Sequence, residues 1–320
     1  GKFNLGWASI GICTHAFYEA INHASARNLY GTWVTDFPHV RRLFTDAYAR
    51  LVTMKLVGLR AADYMRSATR EDRRYLLYNP VVKMKVTTEG EKVIDDLWDV
   101  IAAKGFENEM YFEMAARDIR ALPKLEGTVH VNIALMVKFL PNYFFDHDEF
   151  EPVPTRNDAV NDDFLFDQGP TSGLSTVRFH DHAPVFAAFS KLSNVEVFIE
   201  QIEAFKSAML EAPPGPEQMK DLDFLMAVGE IFVCIVYAEL LLENAPVYEL
   251  SDDLVDQIFD VLVRDLSDYA LKLHSRPTTN EAQATKCMEM IRRPVFDARR
   301  YQRVWDEEVS ILKGLYEMTP

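Results

Sequence analysis

Apolar residues recur every three to four positions along most of this 320-residue chain, which is the spacing of one face of an α-helix. No stretch alternates between apolar and polar residues between turn signals, as a half-buried strand would. The helical patterns cover residues 10–24, 38–65, 80–101, 108–120, 126–141, 184–210, 222–242, 254–273 and 295–315. We therefore predict an all-α fold.

The helical pattern is interrupted between residues 146 and 176, where acidic residues accumulate and Pro152 and Pro170 punctuate the sequence. A structureless connection of this length usually marks a linker or a functional lid. We interpret it as a linker, and an acidic strip lying on the surface is the simpler alternative. A chain of this length suggests about two domains. We predict a helical bundle over residues 1–145, a linker over 146–176 and a second helical bundle over 177–320.

The formal net charge is −15, which argues against nucleic acid as the main partner, because phosphate backbones attract basic surfaces. The three cysteines, Cys13, Cys234 and Cys287, lie far apart without CxxC spacing. Neither a disulfide framework nor a structural zinc site is indicated. No secretory signal is visible, and a cytoplasmic location is the simplest expectation.

The longest apolar stretch, residues 222–242, is interrupted by Asp223, Glu230 and Glu239. A membrane-spanning helix tolerates such charges poorly. We therefore predict a buried helix at this position and no transmembrane segment.

One histidine pair raises the question of a metal site. His180 and His182 flank Asp181, but residues this close in sequence point in different directions, and no third ligand lies nearby in the sequence. We interpret the triplet as an exposed helix start capped by Asp181, and we predict no metal site.

Glu126 lies between an arginine-rich helix end and a Gly-Thr step in the segment Arg117–Thr128. From its spacing alone, Glu126 is a first-turn acid that complements the dipole of the following helix. The segment nevertheless resembles the signature of the acyl-CoA dehydrogenase family, in which an Arg-Asp pair precedes Glu-Gly-Thr. In that family the glutamate removes a proton from the carbon next to a thioester.

Two further motifs carry the same resemblance, which extends over about the first 145 residues. Arg27-Asn28-Leu29-Tyr30-Gly31 resembles the Arg-x-x-Phe-Gly step that ends the first long helix of the family's C-terminal bundle. The motif at residues 102–106, Ala-Ala-Lys-Gly-Phe, stands where the family has Gly-Gly-x-Gly-Phe or Gly-Gly-x-Gly-Tyr. Each motif is weak singly, but their order along the chain matches the family.

The resemblance implies an acyl-CoA substrate and an FAD cofactor, with Glu126 taking the α-proton while a hydride leaves the β-carbon for the flavin. Such a base needs a raised pKa, which Leu125 and Val129 could favour by excluding water. Arg27 would meet the FAD pyrophosphate across a dimer interface, and Gly127 would contact the substrate. The other cofactor contacts that the resemblance implies are Tyr30, Asp99, Ala103, Thr128 and His130.

Several positions depart from the family pattern. Pro38 and Asp99 stand where relatives often have glutamine, and Ala102 and Ala103 replace a glycine pair. A methyl group at each of those glycines narrows the approach of a ligand to the backbone. These changes suggest either an altered cofactor geometry or a subunit that no longer holds flavin.

Members of the family also have an N-terminal helical domain and a central β-domain that receives the flavin ring, and neither is recognisable here. The resemblance therefore implies that this half comes from another chain or from the same precursor. It also implies a homo- or hetero-oligomer, and a polypeptide that is inactive alone. Electrons could leave to an electron-transfer flavoprotein or to oxygen. The alternative function is a non-catalytic helical assembly subunit of an acyl-CoA dehydrogenase-like complex.

Overall fold

The computed structural model describes residues 1–156 and 164–316, and this part of the chain is mostly helical. The only strands within it are two residues long and form one antiparallel hairpin, β1 (Asn28–Leu29) and β2 (Thr32–Trp33). The helices are α1 (Lys2–Ala26), α2 (Pro38–Arg66), α3 (Tyr75–Val81), α4 (Thr87–Ile101), α5 (Tyr111–Ala121), α6 (Val129–Met136), α7 (Leu140–Phe145), α8 (Phe164–Asp167), α9 (Ala183–Ala187), α10 (Ser193–Glu211), α11 (Leu222–Asn244), α12 (Asp252–His274), α13 (Glu281–Met290) and α14 (Ala298–Val304). The prediction of an all-α fold is confirmed.

Two of the long helices of the leading bundle, α1 and α4, run parallel to each other. Ser9 Oγ donates to the carbonyl of Val86 at 3.3 Å, and one turn later Cys13 Sγ donates to the carbonyl of Gly90 at 3.5 Å. The contact is close because position 90 has no side chain: a Cβ there would lie 2.0 Å from Ser9 Oγ. The parallel course places the C-terminal ends of α1 and α4 at the same end of the bundle.

The predicted start of a helix at Pro80 is wrong, because α3 already begins at Tyr75 and contains Pro80. The chain continues through a π-helical turn, Val82–Val86, into α4. Proline cannot donate the backbone hydrogen bond that an α-helix needs at that position, and both prolines and π-turns are common sites of helix irregularity. One helical unit therefore continues from residue 75 to residue 101.

Other helices also differ from the predictions. The pattern over residues 184–210 forms two helices, α9 and α10, rather than one. The pattern over residues 295–315 gives the short α14, a π-helical turn (Trp305–Val309) and a 3₁₀ turn. The sequence analysis did not predict α13, although Asn280 and Gln283 form a capping box at its start.

The described parts of the acidic segment lie along α2 and α3. The Arg60 guanidinium donates to the carbonyl of Val153 at 3.0 Å, and Asp63 Oδ1 accepts from the backbone N–H of Arg156 at 2.9 Å. Further along the same segment, the carbonyl of Pro170 accepts a hydrogen bond from Arg73 at 2.8 Å. Residues 157–163 lie outside the described residues, so the linker stays a prediction.

An ion cluster is buried between the leading bundle and α12, and we call it the central ion cluster. Its five members are Arg50 (α2), Lys85 (the π-turn), Glu89 and Lys92 (α4), and Asp265 (α12). Arg50 donates two hydrogen bonds to Asp265 at 2.7 and 2.9 Å, and Lys85 Nζ lies 2.7 Å from Glu89. Buried charges are tolerated when they are paired in this way, so the cluster ties α12 to the leading bundle.

Helix α11 is the most apolar of the long helices in the described part of the chain, and it lies inside the fold. By length and composition it could cross a membrane, but 83% of its most apolar window is buried. It packs closely on α6, since a Cβ at Gly229 would lie 2.4 Å from Ile133 Cγ2. On its other side, Asn244 Nδ2 donates to the carbonyl of Leu56 in α2 at 2.9 Å. Burial of this kind is typical of the core helix of a globular protein.

Candidate functional site

The turn at Glu126 and Gly127 has an unusual backbone conformation. Both residues have positive φ, 53° and 96°, and a non-glycine residue rarely adopts this conformation without a local reason. Asn132 Nδ2 holds the turn by donating to the carbonyls of Gly127 and Thr128 at 3.0 and 2.9 Å. Glu126 precedes α6 rather than lying in its first turn, so complementing the dipole of that helix does not explain it.

The Glu126 side chain is exposed and lies among cations at the start of α1. Its Oε2 would be 3.4 Å from a Cβ on Gly1, and Lys2 Nζ would be 3.5 Å from a Cβ on Gly127. Lys83 is buried and donates to the carbonyl of Leu122 at 2.8 Å. Burial, with Lys2 and Lys124, lowers the pKa of Lys83 to about 8, while Glu126 opposes that shift.

Within this chain, the residues around Glu126 are accessible to solvent. Leu125, which we expected to exclude water, is 50% exposed, and Val129 is partly exposed. Thr128 and His130 are also exposed at the start of α6. These residues form an open surface, and an apolar enclosure for Glu126 would have to come from residues outside this chain.

The second group of predicted residues lies at the far end of α1. Arg27 is half-buried and ends the helix, and the hairpin follows it directly. Tyr30 and Gly31 form the two-residue turn of that hairpin, with φ of 55° and 82°, as a type I′ turn requires. The Tyr30 side chain is 99% exposed. The Tyr30 ring is therefore open to solvent at the tip of the hairpin.

Asp99, Ala102 and Ala103 are exposed at the C-terminal end of α4, and the parallel course of α1 and α4 brings them to the end that carries Arg27. Lys104 and Arg27 both lower the pKa of His23, after the larger effect of its burial. Ala102 has φ 58° and ψ −143°, a conformation that favours glycine strongly. Ala102 thus adopts a backbone conformation that a glycine would accommodate more easily.

The predicted site residues thus fall into two groups rather than one. Arg27, Tyr30, Asp99 and Ala103 lie at one end of α1, and Glu126, Gly127, Thr128 and His130 lie at the other end. The 25 residues of α1 span about 37 Å at 1.5 Å per residue. Within one chain the two groups are too far apart to form a single site.

Comparison with known proteins agrees with the motifs. Residues 1–140 match the family model of the acyl-CoA dehydrogenase C-terminal domain. The resemblance is confirmed over these residues. The crystal structure of an acyl-CoA dehydrogenase complexed with FAD from Bacillus anthracis has a similar fold, with a TM-score of 0.61 and 11% sequence identity. No curated protein sequence matches the chain.

The structural match is broader than the family match. It covers 98% of this chain, and so extends beyond the residues that match the family model, but it covers only 55% of the Bacillus anthracis chain. The chain thus spans about half the length of that acyl-CoA dehydrogenase. At 11% identity the match shows the fold alone.

Two polar clusters beyond the family match were missed by the sequence analysis. In the first, His180 Nε2 lies 2.9 Å from Glu239 Oε1 and 3.1 Å from Glu243 Oε1. Burial opposes protonation of His180, but the two carboxylates outweigh it and raise its pKa to about 10. The second consists of His147, Asp181 and His182. A signal for the first was available, since Glu239 interrupts an otherwise apolar run, whereas His147 carried no such signal.

Proposed function

We propose that the chain is the C-terminal part of an FAD-dependent acyl-CoA dehydrogenase, in which Glu126 takes the α-proton of an acyl-CoA thioester. The observation that carries the proposal is the left-handed Glu126-Gly127 turn, exposed and held by Asn132, within the residues that match the family. FAD, when bound, would accept the hydride that leaves the β-carbon. Proton removal is the part of the reaction assigned to this chain.

The role of Glu126 depends on what covers it. An exposed carboxylate is too weak a base for a thioester α-proton, and a dry pocket would strengthen it by disfavouring the charged form. Leu125 and Val129 supply part of an apolar surface, and the acyl-CoA substrate and the missing half of the enzyme would supply the rest. Because this chain spans only about half of the related acyl-CoA dehydrogenase, we propose that the missing half closes over this surface.

The two groups of site residues support an oligomer. Arg27 offers a fork of donors suited to a pyrophosphate, and Tyr30 is presented beside it, about 37 Å from Glu126 along α1. We propose that the Arg27 end of one copy contacts the FAD that serves Glu126 of another copy. Thr128 and His130 would contact the cofactor from the Glu126 side, and Asp99 and Ala103 from the Arg27 side.

The rival function, a helical assembly subunit without turnover, rests on Ala102. Its φ of 58° keeps a glycine conformation while its methyl group occupies the space where a cofactor would approach the backbone. A subunit released from cofactor binding could accumulate such a change. The two functions differ in whether the assembled protein holds FAD.

The test requires the assembled enzyme, made by co-expressing this chain with its flavin-domain half. We expect FAD to be bound, and Glu126→Gln to slow its bleaching by an acyl-CoA at least ~100-fold. The matched control is Glu249→Gln, because Glu249 is also exposed and has a φ of 52°, and it should leave bleaching unchanged. Undiminished bleaching by the Glu126 variant would reject the assignment. An assembled protein that binds no FAD would instead support the assembly subunit.

A further inference from the structure

His147, Asp181 and His182 come together outside the residues discussed above. His147 follows α7, whereas Asp181 and His182 precede α9, and their ligand atoms all lie within 4.8 Å of one another. Asp181 Oδ1 is 3.9 Å from His147 Nδ1 and 4.0 Å from His182 Nδ1. The sequence analysis found no third ligand close to His182, and the fold supplies one from a distant segment.

The backbone fixes the two segments relative to each other. His147 forms a parallel β-bridge with Phe179, and the N–H of Asp148 donates to the carbonyl of Phe179 at 2.8 Å. Asp181 is held as well, because its Oδ1 accepts from the backbone N–H of Ala183 at 3.0 Å, as expected of a cap. The three side chains therefore start from positions that need little reorganisation to meet a common ligand.

The tautomer of His147 is set by its other ring nitrogen. Nε2 lies 2.9 Å from the carbonyl oxygen of Tyr143, and a carbonyl can only accept, so Nε2 carries the proton. In the neutral ring this leaves a lone pair on Nδ1, the atom near Asp181. Histidines that bind metal ions usually donate their second ring N–H to a carbonyl or carboxylate in this way.

His182 lacks the hydrogen bonds that a buried imidazole needs. It is 1% exposed, and neither ring nitrogen has a hydrogen-bond partner among the described residues. Its ring stacks on Tyr143 with 5.0 Å between centroids and meets Phe144 edge-on at 5.2 Å. An unpaired polar group in such surroundings is costly.

We propose that His147, Asp181 and His182 bind a divalent transition-metal ion of the zinc type. Two imidazoles and a carboxylate are a ligand set that such ions prefer. Bonds of 2.0–2.1 Å in a tetrahedral arrangement place ligand atoms about 3.3 Å apart. The two distances from Asp181 to the histidines must therefore shorten by about 0.6–0.7 Å, and the distance between the two histidines by at most about 1.5 Å. The Asp181 side chain is 49% exposed, which leaves room for water as a fourth ligand, and Asp148 and Glu149 line the adjoining cleft of about 500 Å³.

The test uses the full chain, treated with a chelator and then titrated separately with Zn²⁺ by calorimetry and with Co²⁺ by visible absorption. We expect one ion per chain and the intense visible bands of a low-coordinate cobalt site. His147→Ala and Asp181→Ala should each weaken binding at least ~10-fold. His182→Ala should do the same, and circular dichroism must first show that this buried variant folds.

Two control variants separate this site from other histidines. His39→Ala changes an exposed histidine at the start of α2 and should leave the titration unchanged. His180→Ala removes the histidine of the neighbouring cluster with Glu239 and Glu243 and should also retain one bound ion. The proposal is overturned if no saturable binding of one ion is seen. It is equally overturned if His180→Ala abolishes binding that His147→Ala and Asp181→Ala retain.

Discussion

The central ion cluster and the turn at Glu126 place carboxylates in opposite surroundings. Asp265 is 5% exposed and is contacted by Arg50, Lys85 and Lys92. Glu126 is exposed and sits in a strained backbone conformation. The partners of Asp265 within the chain explain how its charge can be buried. At Glu126, Asn132 holds only the backbone of the turn. In the function proposed above, the exposed carboxylate on the strained backbone is the one that is assigned a catalytic role.

Glu249 can be compared directly with Glu126, because both residues have a left-handed backbone conformation. Its conformation has a local explanation: the turn at the end of α11 closes with a hydrogen bond from the Leu250 N–H to the Ala245 carbonyl at 3.0 Å, as helix C-termini commonly do. Positive φ alone therefore does not indicate a site. The additional features at Glu126 are the family match and the lack of such a role.

The largest effect on stability should come from Asp265→Ala. Burial opposes ionisation of Asp265, but Arg50 and the two lysines outweigh it and hold its pKa below the usual value. The variant leaves three cations facing Glu89 alone, and breaking a buried pair in this way typically costs about 3–5 kcal/mol. Urea denaturation checks the value. Asp268→Ala, which changes an exposed residue of the same helix, should stay within about 0.5 kcal/mol of the wild type. Similar losses in the two variants would contradict a structural role for the cluster.

Replacing Asp96 should have the next largest effect on stability, and this substitution should stabilise the protein. Burial, reinforced by Asp46 and Asp99 and opposed by Arg50 and Arg264, raises the pKa of Asp96 to about 7. The native state therefore holds a proton that the unfolded state releases near pH 4, so stability falls as pH rises from about 4 to 7. Asp96→Asn should remove that fall and be more stable than the wild type at pH 8 by on the order of 2–4 kcal/mol.

The control for Asp96 is its exposed neighbour Asp95, whose carboxylate pairs with Arg120 at 3.1 Å. Unfolding measured from pH 4 to 8 should give parallel curves for the wild type and Asp95→Asn. The curve of Asp96→Asn should instead diverge upward above pH 4. If its advantage at pH 8 is already present at pH 4, the ionisation of Asp96 is not the cause.

Helical periodicity was enough to predict the fold class and the core helices, because buried faces dominate such a pattern. The prediction of a helix boundary was wrong where a proline and the apolar periodicity indicated different helix starts. Proline usually marks a helix start, but the apolar face of the 75–101 unit continues through Pro80, and a π-turn follows it. Helix α13 was overlooked because its apolar pattern is short, although its capping box was present in the sequence.

The residues of the candidate site could be predicted from the sequence, but their positions relative to one another in the fold could not. The motifs around Arg27, Ala103 and Glu126 could be recognised from the sequence. Their separation by the length of α1 depends on helix direction and packing, which no single motif specifies. The contact between His147 and His182 has the same origin, since it joins segments that are distant in sequence. Contacts of this kind arise only when the chain is folded.

The smallest effect should come from relieving strain at Ala102, where φ is 58° and ψ is −143°. A non-glycine residue in so sparsely populated a region costs about 1–3 kcal/mol, while glycine gives back about 0.4–1 kcal/mol through the entropy of the unfolded chain. Ala102→Gly should therefore stabilise the protein by about 1 kcal/mol in urea denaturation. Ala103→Gly is the matched control, because Ala103 does not have positive φ, and it should destabilise. If the two variants lose stability equally, Ala102 is not strained.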